Sequence, residues 1–165
     1  MGLFKAIEIS ASGLTAQRLR MDLVSNNIAN INTTRTGEVT PAGNQIPYRR
    51  QVSVFVPRPA DKTSFANVLG ETMSAQNSRA GNGVQVAGIY EDETEPFRLE
   101  YDPDSPDAAK VAEAGLPVGY VRHSNVNIVT EMIDMMTASR AYEANVTALN
   151  VSKAMASKAL EIGKG

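Results

Sequence analysis

From Asn127 to Ile162 the chain reads NIVTEMIDMMTASRAYEANVTALNVSKAMASKALEI, with no Gly or Pro. Residues Ile128, Met132, Met135, Ser139, Tyr142, Val146, Leu149, Lys153, Ala156 and Leu160 stand alternately four and three apart. That spacing is a heptad seam, with Ser139 and Lys153 as its polar breaks, and it predicts one long helix. Alanines 138, 141, 144, 148, 154 and 159 fill other faces. Alanine loses no side-chain entropy in a helix and allows close approach by a neighbour. Asn125 or Asn127 can cap the start, and Gly163 and Gly165 end the pattern.

The other end of the chain repeats the design. Ile7, Leu14, Met21 and Ile28 recur every seventh residue. Leu3, Val24 and Ile31 fill the intermediate place, which Ser10 and Gln17 interrupt. The spacing predicts a helix over residues 4–30, weakened by Gly13 but open there to a close neighbour. It fades into the Asn30–Thr34 stretch, whose side chains compete for their own backbone. Two such helices imply a coiled-coil hairpin or two members of an ordinary bundle, since 3.5 and 3.6 repeats diverge slowly. Either arrangement leaves apolar surface, including Met136 and Met155, for partner subunits.

Between the helices the chain is β-rich. Residues 48–56, 83–90, 96–101 and 118–122 read as short strands, and 36–47, 57–82 and 102–117 as loop insertions. A short helix can lie near Ser64–Leu69. The expected class is α+β. A terminal helical domain comprises residues 1–35 and 124–165, and a small β-rich module residues 36–123.

Composition narrows the chemistry. The chain has 165 residues, 42% apolar and 21% charged, a range typical of folded domains. It has no cysteine, which removes disulfides, zinc–thiolate sites and thiol nucleophiles, and one histidine, which removes two-histidine metal motifs. The formal charge of −2 is uneven. Residues 1–35 carry +2, residues 36–126 carry −4, and the remainder is balanced. No block is basic enough for nucleic acid, and no run is long enough for a membrane span. The N-terminus lacks the apolar core of a cleavable signal.

No catalytic, cofactor or metal site emerges. Asp102–Asp107 places Pro106 and Asp107 where a calcium loop needs a ligand and Gly, so it reads as a solvated acidic turn. Glu91–Glu95 reads as solvated surface, able to meet a basic partner. His123 has no evident companion nucleophile. Glu131 and Asp134 share one helical face, with a surface or subunit-interface role expected. Met132, Met135 and Met136 read as packing residues.

The stretch Ser25–Thr34, SNNIANINTT, resembles the N-terminal signature of the bacterial flagellar rod and hook protein family. Thr33–Thr36, Pro47–Arg50, Pro96–Pro103, Gly119–Val121, Asn125–Met136 and Ser139–Asn145 are similar to its proximal-rod members. The resemblance implies a structural subunit, not an enzyme, without cofactors. It implies export through the flagellar type III apparatus without signal cleavage, helical assembly with copies of itself and other rod proteins, and torque transmission across the periplasm. The residues expected to pack between subunits are Ile7, Leu14, Met21 and Ile28, with Asn26, Asn27, Asn30 and Asn32 at the helix exit. On the C-terminal helix they are Met132, Met135, Tyr142, Asn145, Val146, Leu149 and Leu160. A soluble adaptor or export-chaperone-like binding protein is the alternative, and it predicts a stable monomer or dimer with ordered ends.

Overall fold

The computed structural model describes residues 3–59 and 81–163. Its order is α1 (Leu3–Ala29), β1 (Gln51–Pro57), β2 (Val84–Glu91), β3 (Arg98–Tyr101), β4 (Tyr120–His123) and α2 (Ile128–Ile162). The α+β class is therefore as expected: two long terminal helices around a small β-rich middle. β1 pairs with β2, and β3 pairs antiparallel with β4 in the register Arg98↔His123 to Tyr101↔Tyr120. The expected helix near Ser64–Leu69 and the end signal at Gly165 lie outside the described residues.

Both helices end where their side chains dictate. Asn127 caps α2: its Oδ1 accepts the Val129 N–H at 3.0 Å. Asn125 does not cap and is used elsewhere. At the end of α1 the Asn30 N–H is shared between the Asn26 and Asn27 carbonyls, and Thr33 N–H reaches Asn30 O at 3.0 Å. The 36–47 loop is more ordered than its composition suggests. Val39 bridges Gln45, Thr40 N–H donates to Asn44 O at 2.8 Å, and Gly43 turns the chain with φ 84°.

Chain contacts define two units. The first comprises Met1–Arg20, Ser53–Gly88 and Thr137–Gly165. Among its described residues Ser12, Ala16 and Ala138 are buried. Gly13 of α1 faces Asn145 of α2, and a Cβ at Gly13 would sit 3.0 Å from Asn145 Oδ1. Ser12 ties α1 to β2: its hydroxyl donates to Ile9 O at 2.6 Å and accepts Val84 N–H at 3.1 Å. Gly83, with φ +87°, comes so close that a Cβ would stand 2.4 Å from Ser12 Oγ. Only glycine combines that backbone conformation with that contact.

The second unit comprises Met21–Val52 and Ile89–Met136. Leu23, Val24, Pro47, Ala109, Leu116, Val121 and Val126 are its buried apolar side chains among the described residues. Ala109 N–H donates to Tyr120 O at 2.9 Å, and Gly119 N–H to Ala109 O at 3.0 Å. The 102–117 loop is thereby laced onto β4. The Tyr101 and Tyr120 rings meet at a tilt of 59° with centroids 5.1 Å apart, and Tyr101 lies against Gly119.

The helix seams differ in part from those expected. On α2 the covered positions include Glu131, Met135, Ala138, Tyr142, Asn145, Leu149, Ser152 and Ala156, and also Asp134, Ser139, Ala141 and Val146. The covered face thus keeps Met135, Ser139, Tyr142, Val146, Leu149 and Ala156 of the expected seam and widens to one side of it. Ile128, Met132 and Leu160 are exposed, at 41%, 51% and 76%. On α1 the most buried residues are Ser12, Ala16, Leu23, Val24 and Asn27, while Ile7, Leu14, Met21 and Ile28 are half-buried. Small side chains explain the shift. Ser, Ala and Gly let backbones approach, so the closest stripe carries the least apolar bulk.

Candidate functional site

The most buried polar group in the described residues is Glu131, with no exposed surface. The surface or subunit-interface role expected for it is overturned. It points from the first turn of α2 at Arg50, which directly precedes β1, with Nε–Oε1 at 2.5 Å. The same guanidinium reaches Asp134 Oδ2 at 3.0 Å and Asp92 Oδ2 at 3.2 Å. A forked cation is thus engaged by three carboxylates, a geometry to which Arg is suited and Lys is not.

Asn27, at the end of α1, completes the lock. Its Nδ2 donates to Glu131 Oε2 at 3.1 Å and to Gln51 O at 2.9 Å. Its Oδ1 accepts Gln51 N–H at 3.0 Å and the Tyr48 hydroxyl at 2.9 Å. Asn26 Nδ2 donates to that hydroxyl at 3.2 Å. Asn125 closes the far side: its Oδ1 accepts Arg50 N–H at 2.8 Å, and its Nδ2 donates to the carbonyls of Asp92 and Glu95. One network therefore joins the end of α1, the entry to β1, the exit of β2 and the start of α2, all inside the second unit.

Electrostatics follow from the geometry. Burial opposes the charge on Arg50, but its bonds to Glu131 and Asp92 and the charge of Asp134 hold the guanidinium pKa above its usual value. Burial, with the charges of Glu131 and Glu91, raises the Tyr48 phenol, so it stays a donor. Asp92 is held below the ordinary 3.8 by bonds from the Thr94 hydroxyl and N–H, then by Arg50. Because the unfolded chain binds that proton first, Asp92 adds stability above the ordinary carboxylate pKa, and this is lost as pH falls through the folded value. The stability gap between wild type and Asp92→Asn is therefore full at neutral pH and closes on acidification below about pH 4. Urea unfolding across pH checks this; a gap independent of pH contradicts it.

Other expected sites resolve as follows. Asp107 is not a solvated turn residue: Thr34 Oγ1 donates to it at 2.7 Å, Arg35 is paired with it, and its side chain is 12% exposed. Asp92, within the expected solvated run, is likewise drawn inward. His123 on β4 lies 3.3 Å from Glu100 on β3. Asn30 bonds Asn26 and accepts from Thr33, while Asn32 is exposed. Met135, Tyr142, Asn145, Val146 and Leu149 are half-buried. Among the described residues no three His, Asp or Glu side chains form a metal-holding group. An open groove of about 400 Å³ on the first unit is lined by Ser12, Ala16, Val84 and Val86 among others, with the paired Glu8 and Arg58 also in its wall. Its one hydroxyl near β2, Ser12, is spent on the backbone.

The lock residues Asn27, Arg50, Asn125 and Glu131 lie in stretches shared with known proteins. The family described as flagella basal body rod protein matches residues 7–35, and the flagellar basal body rod FlgEFG protein C-terminal family matches residues 118–162. The flagellar basal-body rod protein FlgC of Bacillus subtilis is 48% identical over 164 residues, covering 99% of this chain and 100% of its own. The protein of that name from Borreliella burgdorferi is 46% identical over 165 residues and all of both chains. The one from Escherichia coli O157:H7 is 35% identical over 164 residues. The chain belongs to the FlgC family of flagellar basal-body rod proteins. Its two matched family regions hold three of the lock's members, Asn27 in the first and Asn125 and Glu131 in the second. Arg50, its cationic centre, stands between them and escaped the sequence reading. Its one signal was chemical: Glu131 and Asp134, three apart on a helix, need a cation if that face is buried. No described helix of this FlgC-family chain is long and apolar enough to cross a membrane.

Proposed function

We propose that this chain is a structural subunit of the flagellar basal-body rod, assembling helically with copies of itself and with other rod proteins. The terminal helical domain, residues 1–35 and 124–165, carries that assembly, and the β-rich module 36–123 is held between its ends. The subunit is exported unfolded by the flagellar type III apparatus without signal cleavage. It works in the periplasm, where packed helices transmit torque, and catalyses no reaction. Full-length kinship to FlgC proteins supports the reading, and one observation carries the assembly mode. The outer face of α2 leaves Val129, Met132, Ile133, Met136, Val151 and Met155 between 49% and 63% exposed.

A neighbour that covers such a side chain contributes roughly 1.5–3 kcal/mol for each. Ordering a frayed helix costs about 1–2 kcal/mol per residue, so several neighbours are needed. Absence of disulfides lets the chain thread a narrow channel. Met132→Glu and Met155→Glu should leave the isolated protein's stability within about 0.5 kcal/mol, because both sites are exposed and Glu is a good helix former. In a strain carrying either variant, completed rods and swimming should be lost. Wild-type swimming with intact basal bodies by electron microscopy would refute assembly through this face.

A further inference from the structure

The two contact units carry opposite charge. The first holds ten Lys and Arg against five Asp and Glu, a net +5. The second holds six against thirteen, a net −7. Residues 60–80 contribute two of each sign and so do not affect the imbalance. We propose that copies of this chain associate head to tail, the basic first unit of one copy docking on the acidic second unit of the next. The inference rests on the reading of the chain as a self-assembling subunit and specifies which face meets which.

The excess acid in the second unit is outward. Its Arg35, Arg50 and Arg122 are occupied by Asp107, by Glu131 with Asp92, and by Glu113. Glu93, Glu95, Asp102 and Asp104 remain exposed in the loops after β2 and β3, with exposed Glu91 3.9 Å from Arg49 and exposed Glu100 3.3 Å from His123. Ile89, Tyr90, Leu99 and Tyr101 lie exposed among them. The first unit exposes Arg18, Arg140 and Lys153, and the apolar Val151, Met155 and Leu160, with Glu143 and Glu161 exposed on the same helix as Arg140. Each unit thus combines exposed apolar surface with an excess of one charge. Complementary potentials of this kind set register and speed encounter, and they suppress like-with-like contact. Contact between two different surfaces does not saturate as a symmetric dimer does: it closes into a ring or continues as an open helix according to the rotation it imposes.

The test uses the full chain and sedimentation velocity at about 0.05 M and about 0.5 M NaCl, where the screening length falls severalfold. Wild type should associate at least about tenfold more weakly at the higher salt. One variant, Arg140→Glu with Lys153→Glu, blocks the basic face. A second, Glu93→Lys with Glu95→Lys, blocks the acidic face. Circular dichroism should match wild type for both, because Glu and Lys have similar helix propensities and the acidic pair is exposed in a loop. Each alone should be monomeric where wild type associates. Their equimolar mixture should associate again, because the intact basic face of one variant meets the intact acidic face of the other. Association that ignores salt, either variant associating like wild type, or a mixture that stays monomeric overturns the proposal. Wild type that is monomeric at both salts overturns it too; the rod reading is judged separately, by the Met132→Glu strain.

Discussion

An Arg50→Ala chain should lose about 3–5 kcal/mol of stability, read as a lower urea midpoint, because Glu131 is left ionised and buried without its cation. A domain of this size is stable by only about 5–15 kcal/mol, so the second unit would be near its unfolding threshold at room temperature. The loss comes from the orphaned carboxylate and not from the worth of the pair. Glu131 has no exposed surface and can draw no water, and Asp92 and Asp134 lose the same partner. The double variant Arg50→Met with Glu131→Leu should therefore recover much of the loss, since an apolar pair of similar volume replaces a desolvated ion pair. If Arg50→Ala unfolds like wild type, or if the double variant is worse than the sum of its parts, the lock is not the element that holds this unit together.

Asn27→Asp should cost nearly as much, although it changes one atom. The carboxylate keeps the acceptor used by Gln51 N–H and the Tyr48 hydroxyl. It loses the donor to Gln51 O and Glu131 Oε2, and sets a second negative oxygen against Glu131 at what is now a 3.1 Å hydrogen bond. A buried acceptor without its donor costs about 1–3 kcal/mol, and the like-charge contact adds to it. The deficit should shrink in acid, when the new carboxylate is protonated and can donate again. Asn27→Leu lacks the charge, so its deficit should not shrink in that way. Urea midpoints at neutral and acidic pH separate the two variants. Equal pH dependence would mean that Asn27 only fills space.

These expectations centre on residues whose roles were only partly visible in the linear chain. The helices were legible because periodicity is local: a long stretch free of Gly and Pro, with apolar residues every three or four, has few alternatives to a helix. Strand positions were legible within two or three residues for the same reason. Seam phase was not. Hydrophobicity marks every apolar position, but on α2 Ile128, Met132 and Leu160 face outward while Met135, Tyr142, Val146 and Leu149 are covered. The covered face also runs through Glu131, Ala138, Asn145 and Ser152, which no apolar pattern selects. The rule of largest side chains inward fails where close backbone approach decides the packing, as at Gly13 opposite Asn145.

Charged residues show the same division. Asp92 and Asp107 read as solvent-facing, because an isolated acid in a polar stretch usually is, and Glu131 read as a surface or subunit-interface residue. Each proved to be held by an arginine far away in sequence: Arg50 for Asp92 and Glu131, Arg35 for Asp107. By itself the sequence determined the class, the two helices and the family, since these rest on neighbours within a few turns and on shared motifs. Only the tertiary structure decided which face of each helix is inside and which carboxylates are buried. Burial is set by what lies across the contact, and Arg50 lies 81 residues from the glutamate it neutralises.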